Sequence, residues 1–334
     1  MKKSLPPLFV CLFFAYPGFS QNYFHFSQFT QSAHAINPAF SGIEDFIDLK
    51  TGYRKQWSKI NGSPTTFFIG VSASDKSFQP DYSKGKSFRV SNPGIFKKYQ
   101  YRRANPSKHG FGLYLLNNSQ GPFSTNAAYL SYAYHHGMSN GLMFAMGASA
   151  NIDITNFDEF DAMVFNPGMD VTYQTYAAGR RTGTSIGANG GFALYNEQFY
   201  VSYAIHNLFL ADMATESLEE NQALYHFVMA GMNLEFSSEF SFQPTVLLKY
   251  SDFHPLSLDV NARMKYRQLG WVGLSYRNNN DIVGMLGLLI DQKINLSYSF
   301  DFSNSDLGRN NSGTHEVVLS FRLGGGDEMA SLLW

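Results

Sequence analysis

From Ile47 onward, apolar and polar residues alternate in stretches of about ten, divided by short runs of turn-forming residues. In HEVVLSFRL, beginning at His315, the residues Val317, Leu319, Phe321 and Leu323 project to one side of an extended chain. Glu316, Ser320 and Arg322 project to the other. In INLSYSFDF, the apolar set Ile294, Leu296, Tyr298, Phe300 and Phe302 opposes Asn295, Ser297, Ser299 and Asp301. Period two predicts strands with one apolar and one polar face. The same pattern predicts strands over 47–56, 65–74, 110–118, 124–135, 141–152, 187–195, 198–206, 225–234, 240–250, 256–266, 270–277 and 282–290, besides 294–302 and 315–323. A weaker alternation at 169–178 belongs in a long loop. As a strand it would move the short turns NEQ, SSE, RQ and DQK from one side to the other halfway along the chain. Without it the number of strands is even and those turns share the side of both termini, the rule for closed bacterial barrels. Segments of about ten residues suit a tilted bilayer crossing, whereas sandwich strands run about five or six. The pattern therefore predicts an all-β chain, a closed antiparallel transmembrane β-barrel of about 14 strands. A soluble β-sandwich is the alternative.

The polar face carries charges of both signs. Lys50 and Arg54 oppose Ile47, Leu49, Thr51 and Tyr53; Asp259, Arg263 and Lys265 oppose Leu258, Val260, Ala262 and Met264. Such a face suits a lumen in which the charges pair with one another. Aromatic residues make up 16% of the 334 residues and charged residues only 15%, which favours the barrel over the sandwich. No stretch past the start approaches the roughly 20 apolar residues of a membrane-crossing helix.

Lys2 and Lys3 precede an apolar run from Leu5 to Phe19, and Gly18, Phe19 and Ser20 form a cleavage-like site before Gln21. Residues 1–20 read as a secretory signal peptide, so export is expected to be Sec-dependent with cleavage near Ser20/Gln21. The single cysteine, Cys11, lies inside this leader. A mature chain without cysteine has no disulfide, thiol nucleophile or thiolate metal site.

Two further segments lack the strand pattern. Residues 21–45 place Phe26, Phe29, Ala33 and Ile36 at helical spacing, ended by Asn37-Pro38. This segment is expected to pack a short helix, through Phe26, Phe29 and Ile36, as a plug in the periplasmic mouth of a barrel spanning 46–323. Residues 75–108 form a polar insertion with nine Lys/Arg against two acids, a net charge of +7. Residues 324–334 form a tail after the last strand.

Candidate chemistry is sparse. Gly183 to Gly187, GTSIG, matches the spacing of a nucleophile elbow around Ser185, but it leads into a glycine-rich strand rather than a helix. His135 and His136 are adjacent, so on a strand they face opposite sides and cannot chelate together. The acids Asp153, Asp158, Glu159 and Asp161 read as a solvated loop rather than a cation site. SKGKS lacks phosphate-loop spacing, and the basic insertion lacks the aromatic interleaving of a nucleic-acid surface. No catalytic, cofactor-binding or metal-binding residue is assigned, and no nucleic-acid partner is expected.

The opening FSQF…INPAFSG, followed by YRKQWSKINGSPTT, resembles the start of the PorP/SprF family of type IX secretion system outer-membrane proteins. Phe26, Gln28, Phe29, Asn37, Pro38, Ala39, Gly42 and Trp57 carry that part of the resemblance. GLYLLNNSQGPFSTNAAYLSYAYHH, ALYNEQFYVSYAIHNLF, YHFVMAGMNLEF, QPTVLLKYSDFHPLSLDVNARMKY, GWVGLSYR and SGTHEVVLSF continue it in order. The resemblance implies a protein of the cell outer membrane, surrounded by its lipids, that serves protein secretion, surface attachment or gliding motility without enzymatic activity. It implies as partners the periplasmic and outer-membrane secretion components and the C-terminal domain of a secreted protein or adhesin. The insertion, where the family usually has a tight turn, and the tail GGGDEMASLLW depart from the pattern. A passive or substrate-specific porin is the other function that a barrel alone suggests. With the amino terminus starting in the periplasm, the insertion falls on the periplasmic side. Its Lys84, Lys86, Arg89, Lys97, Lys98, Arg102 and Arg103 would meet an acidic partner there, while the acid-rich 153–170 and 206–222 face outward.

Overall fold

A computed structural model describes residues 26–324 except 79–106, 139–140, 163, 172, 175–181, 214–222, 238, 253, 268, 279–280, 291–292 and 304–311. The strands are β1 (Ile47–Lys55), β2 (Thr65–Ser74), β3 (Lys108–Gln120), β4 (Phe123–Gly137), β5 (Met143–Phe157), β6 (Thr182–Tyr195) and β7 (Phe199–Asp212). They continue with β8 (Tyr225–Met232), the two-residue β9 (Leu234–Glu235), β10 (Phe240–Ser251), β11 (His254–Tyr266), β12 (Gly270–Arg277), β13 (Asp281–Ile290), β14 (Ile294–Ser303) and β15 (Thr314–Leu323). Each long strand pairs antiparallel with its neighbours in the chain, β8 with β10, and β1 closes the sheet on β15 from Ile47↔Leu323 to Lys55↔His315. β9 adds only Glu235 and Leu234 opposite Ser241 and Phe242. The result is a closed barrel of fourteen long strands with one short extra strand.

The alternation resolves as the sequence indicates. Glu316, Val318 and Ser320 are buried in the lumen, and Val317 and Leu323 are exposed on the outside. Mid-strand outer positions are aliphatic, among them Leu113, Leu130, Val272, Leu274, Leu286 and Leu288. So broad an apolar belt answers to hydrocarbon, not water. Tyr–His pairs lie on the same outer surface near the strand ends. Tyr132 is bonded to His109 Nδ1 (2.7 Å) close to the start of β3, and Tyr298 to His315 Nδ1 (2.7 Å) close to the start of β15. Amphipathic rings at those levels match the two interfaces of a bilayer.

The barrel end that holds Ile47 and Leu323 is called here the terminal end, and the other, where β1 finishes, the far end. The connections from β6 to β7, from β11 to β12 and from β13 to β14 are at the terminal end. The 3₁₀ turn Asp75–Phe78 follows β2 there. Several strands run longer than the alternation indicates, and three residues change assignment as a result. Lys108, assigned to the insertion, is the first residue of β3; Asp153 and His206, assigned to outer loops, lie within β5 and β7. Each has its side chain toward the lumen, where polar partners receive it: Asn151 Nδ2 donates to Asp153 Oδ2 (2.5 Å), and the partners of Lys108 and His206 are described below. Between β5 and β6 the described residues contain no strand, and 169–171 and 173–174 lie outside the barrel wall.

Candidate functional site in the barrel lumen

The lumen is occupied by residues Phe26–Phe46, nearly all of them buried. The segment comprises a 3₁₀ turn (Phe29–Ser32), one α-turn (Ala33–Ile36) and a second 3₁₀ turn (Pro38–Phe40). Asn37 starts the last of these, its Oδ1 accepting from Ala39 N (2.9 Å), with Pro38 at the first helical position where no N–H is needed. The expected single helix face through Phe26, Phe29 and Ile36 is not formed. Gln28 breaks the helix at φ −95°, ψ 50°, and Phe26 and Phe29 pack against different walls. Phe26 joins Phe68, Tyr114, Leu116 and Val318, whereas Phe29, Ile36 and Phe40 join Tyr200, Phe227, Met229 and Leu247. One helical stripe cannot touch both sides of a barrel.

Nor is the segment confined to one mouth. At its start, near the far end, Glu316 accepts the backbone N–H groups of Ser27 (Oε2, 2.9 Å) and Gln28 (Oε1, 3.0 Å). Arg54 holds that carboxylate through Nη1 (2.9 Å) and Asp301 through Nη2 (2.9 Å), and Ser27 Oγ lies 2.6 Å from both Asp301 oxygens. All four side chains are buried, so these are charge-assisted bonds in a low-dielectric setting. Midway, His206 Nε2–H donates to Ile36 O (2.7 Å), and Asn37 Nδ2 donates to the Phe192 and Tyr203 carbonyls (3.1 and 3.2 Å). Toward the terminal end, His135 Nε2–H donates to Ser41 O (2.7 Å) while Tyr195 Oη–H donates to His135 Nδ1 (2.8 Å), which fixes the tautomer. Ser41 Oγ meets Ser131 Oγ (2.6 Å), and Gly42 N donates to Ser72 Oγ (2.7 Å). Lys108 Nζ donates to Ile43 O (2.6 Å) and to Asp45 Oδ1 (2.7 Å). At this mouth, partial burial lowers the Lys76 pKa, Asp45 opposes the shift and Lys108 adds to it.

Small wall residues make room for this backbone. A Cβ at Gly110 would fall on the Ser41 carbonyl, at Gly147 on the Pro38–Ala39 peptide, and at Gly191 on the Asn37 amide. Gly42 has φ +66°, and a Cβ there would stand 2.5 Å from Gly110 Cα. Only glycine fits both demands.

Of the residues that carry the family resemblance, Phe26, Gln28, Phe29, Asn37, Pro38, Ala39 and Gly42 gather in the lumen. Trp57 is apart, in the far-end turn after β1, where its N–H donates to Thr314 Oγ1 (3.4 Å). Lys84, Lys86, Arg89, Lys97, Lys98, Arg102 and Arg103 lie outside the described residues, as do the leader and the tail from 325. Ser185 sits inside β6, cross-strand from Asp153, so the strand-to-helix turn of a nucleophile elbow is absent. Among the described residues no three His, Cys, Asp or Glu side chains are grouped to hold a metal ion. Among the described residues, the side chains around the luminal segment anchor it through hydrogen bonds and ion pairs.

Sequence reasoning placed Arg54, Asp301 and Glu316 on the polar face but did not pair them, and it missed His135 and His206 as clamps. A usable signal was present. Gly110, Gly112, Ala133, Ala145, Gly147, Gly191, Ala193 and Ala204 all occupy inward positions, and a wall of such small residues needs another element to fill the space.

Solved structures similar in fold are outer-membrane proteins. The CymD monoaromatic hydrocarbon channel matches with 11% identity and a TM-score of 0.49, over 88% of this chain and 93% of its own. Omp33 of Acinetobacter baumannii matches with 9% identity and a TM-score of 0.44, over 85% and 100%. The Pseudomonas putida toluene transporter TodX matches with 9% identity and a TM-score of 0.43, over 91% and 95%. No curated protein matches the sequence. Residues 18–321 match the type IX secretion system membrane proteins PorP/SprF; this outer-membrane barrel belongs to that family.

Proposed function

We propose that the protein is a non-enzymatic outer-membrane component of the type IX secretion system that assists export or surface attachment of a partner secreted protein or gliding adhesin. The observation that carries the reading is the occupied lumen: residues 26–46 run from the far end to the terminal end and are fastened at every level. A barrel so filled serves as a platform in the membrane rather than as an open pore. On this reading the terminal end faces the periplasm, where the insertion's Lys84, Lys86, Arg89, Lys97, Lys98, Arg102 and Arg103 meet an acidic part of the machine, and the acidic loops face outward. The partner is engaged through its C-terminal domain. Residues 1–20 are removed on export.

Reconstitution in planar bilayers tests the plug. The intact protein should show no steady channels, and deletion of residues 23–35 should leave a folded barrel that conducts; steady channels in the intact protein would favour a porin. Tagged protein purified from its native membrane should bring down a secreted partner. A cysteine at Ser91→Cys tests orientation, since the leader holds the only native thiol. Labelling on intact cells by a membrane-impermeant reagent would put the insertion outside and reverse the topology.

A further inference from the structure

Two sets of luminal cations contrast. Lys50, Arg54, Lys108, Lys249 and Arg277 each have a carboxylate oxygen within 2.9 Å. Arg263 and Lys265, on the luminal face of β11, have no such ion pair among the described residues. Arg263 is 2% exposed, and its Nε and Nη1 have no hydrogen-bond partner. Its guanidinium carbon lies over the Trp271 ring, 5.3 Å from the centre. Polar atoms beside it also lack partners: Gln243 Oε1 on the paired strand, Asn261 Oδ1 and Trp271 Nε1. The luminal segment is fastened to other strands, by His135, His206, Lys108 and Glu316; its Glu44 acts on Lys265 through its charge, whereas no described carboxylate does so at Arg263.

An unpaired guanidinium withdrawn from water costs several kcal/mol, which an anion in contact removes. The planar fork on an indole face suits a carboxylate held through two parallel bonds. Lys265 supplies a second charge two residues nearer the terminal end and is partly exposed, which marks the route of entry. Same-face residues two apart on a strand stand roughly 6.6–7 Å apart, the same interval as alternate side chains of an extended peptide.

We propose that Arg263 and Lys265, backed by Trp271, form a carboxylate-binding site entered from the terminal end, and that its ligand is an extended acidic peptide segment with carboxylates at alternate positions. The assignment of that peptide to the exported partner rests on the function proposed above; the site itself does not.

The test uses the full-length protein in detergent, titrated calorimetrically with end-blocked Glu-Ala-Glu, with Lys-Ala-Lys and inorganic phosphate as comparisons. Saturable binding of Glu-Ala-Glu, weakened by salt, is expected. It should fall at least tenfold in Arg263→Gln and several-fold in Lys265→Gln. Lys265→Gln, at the partly exposed position, and heat-modifiable gel mobility keep a folding defect from passing as a binding defect. With Trp57 and Trp334 replaced by Phe, the remaining Trp271 emission should shift on peptide binding but not on adding Lys-Ala-Lys. Absence of saturation, equal binding by Arg263→Gln, or phosphate binding as tightly as peptide would overturn the site. Loss of a co-purifying partner from Arg263→Gln/Lys265→Gln supports its assignment to that partner, and full retention overturns it. A wild-type barrel that retains no partner overturns the functional reading alone, leaving the peptide titration to judge the site.

Discussion

Glu316 is the residue whose loss should loosen the luminal segment with least disturbance to the wall. Its carboxylate is wholly buried and accepts from Ser27 N, Gln28 N and Arg54 Nη1 at 2.9, 3.0 and 2.9 Å. In Glu316→Gln the volume is kept, but one oxygen becomes an NH2 group that faces a donor. Asp301 still neutralises Arg54, at 2.9 Å, so no charge is stranded. A hydrogen bond to a charged group contributes about 1.5–3 kcal/mol net; losing one and weakening another should cost about 2–4 kcal/mol. At 1.36 kcal/mol per factor of ten, the detached population should rise roughly 30- to 1,000-fold. A thiol at the buried luminal position Gln31→Cys reports that population, because a small reagent reaches it only when the first turn lifts away. The labelling rate should rise by the same factor in the double variant while gel mobility still shows a folded barrel. A rate within threefold of the parent would refute the latch, and with it the view that Glu316 holds the segment.

Leu319→Arg, near mid-strand on the lipid face, should cost roughly 2–4 kcal/mol in lipid refolding, and Ser320→Arg, facing the lumen, should not show that depth-dependent penalty; equal effects in bilayers of different thickness would remove the membrane assignment. Gly147→Val should displace the Pro38–Phe40 turn and lower the thermal midpoint, since its Cβ would stand 2.6 Å from Ala39 Cα, whereas Gly284→Val, with nothing within 4 Å, should be nearly silent in the same melt. His206→Ala should destabilise by about 1–3 kcal/mol in a denaturant titration, because it strands the buried Ile36 carbonyl.

The wall of the barrel was legible because alternation is a local property. In INLSYSFDF each residue declares its face through its own polarity, and the observed β14 and β15 begin and end within a residue of the pattern. Strand length was underestimated where polar partners, not apolar alternation, extend the pairing: β6 begins at Thr182 rather than 187, the Thr182 hydroxyl donating to Asn156 Oδ1 on β5 (2.9 Å), and Lys108 opens β3, where Asp45 and Ile43 receive its ammonium. The path of residues 26–46 could not be read, since helical spacing in 26–36 reports only that apolar groups recur. Which wall each one meets depends on contacts with strands far along the chain, such as Phe68 for Phe26 and Tyr200 for Phe40. Charge pairing was similarly half visible. Arg54 on a polar face announces a need for counter-ions, but Asp301 and Glu316 become its neighbours only when β1 meets β15.

That junction has a kinetic consequence. Ser27 is joined to Glu316 across 289 positions of sequence, so the contact has nearly the greatest loop-closure entropy the chain can offer and forms late. The glycine seats on β3, β5 and β6 belong to the first half of the chain and are available earlier. Residues 37–43 can therefore act as a mandrel against which the growing sheet curls, with Ser27 and Gln28 waiting unclasped until the final hairpin arrives. Capture by Glu316 then reports that β15 has met β1. An assembly machine that tests for a loose amino-terminal strand of chain could tell an unfinished sheet from a closed one by this clasp alone.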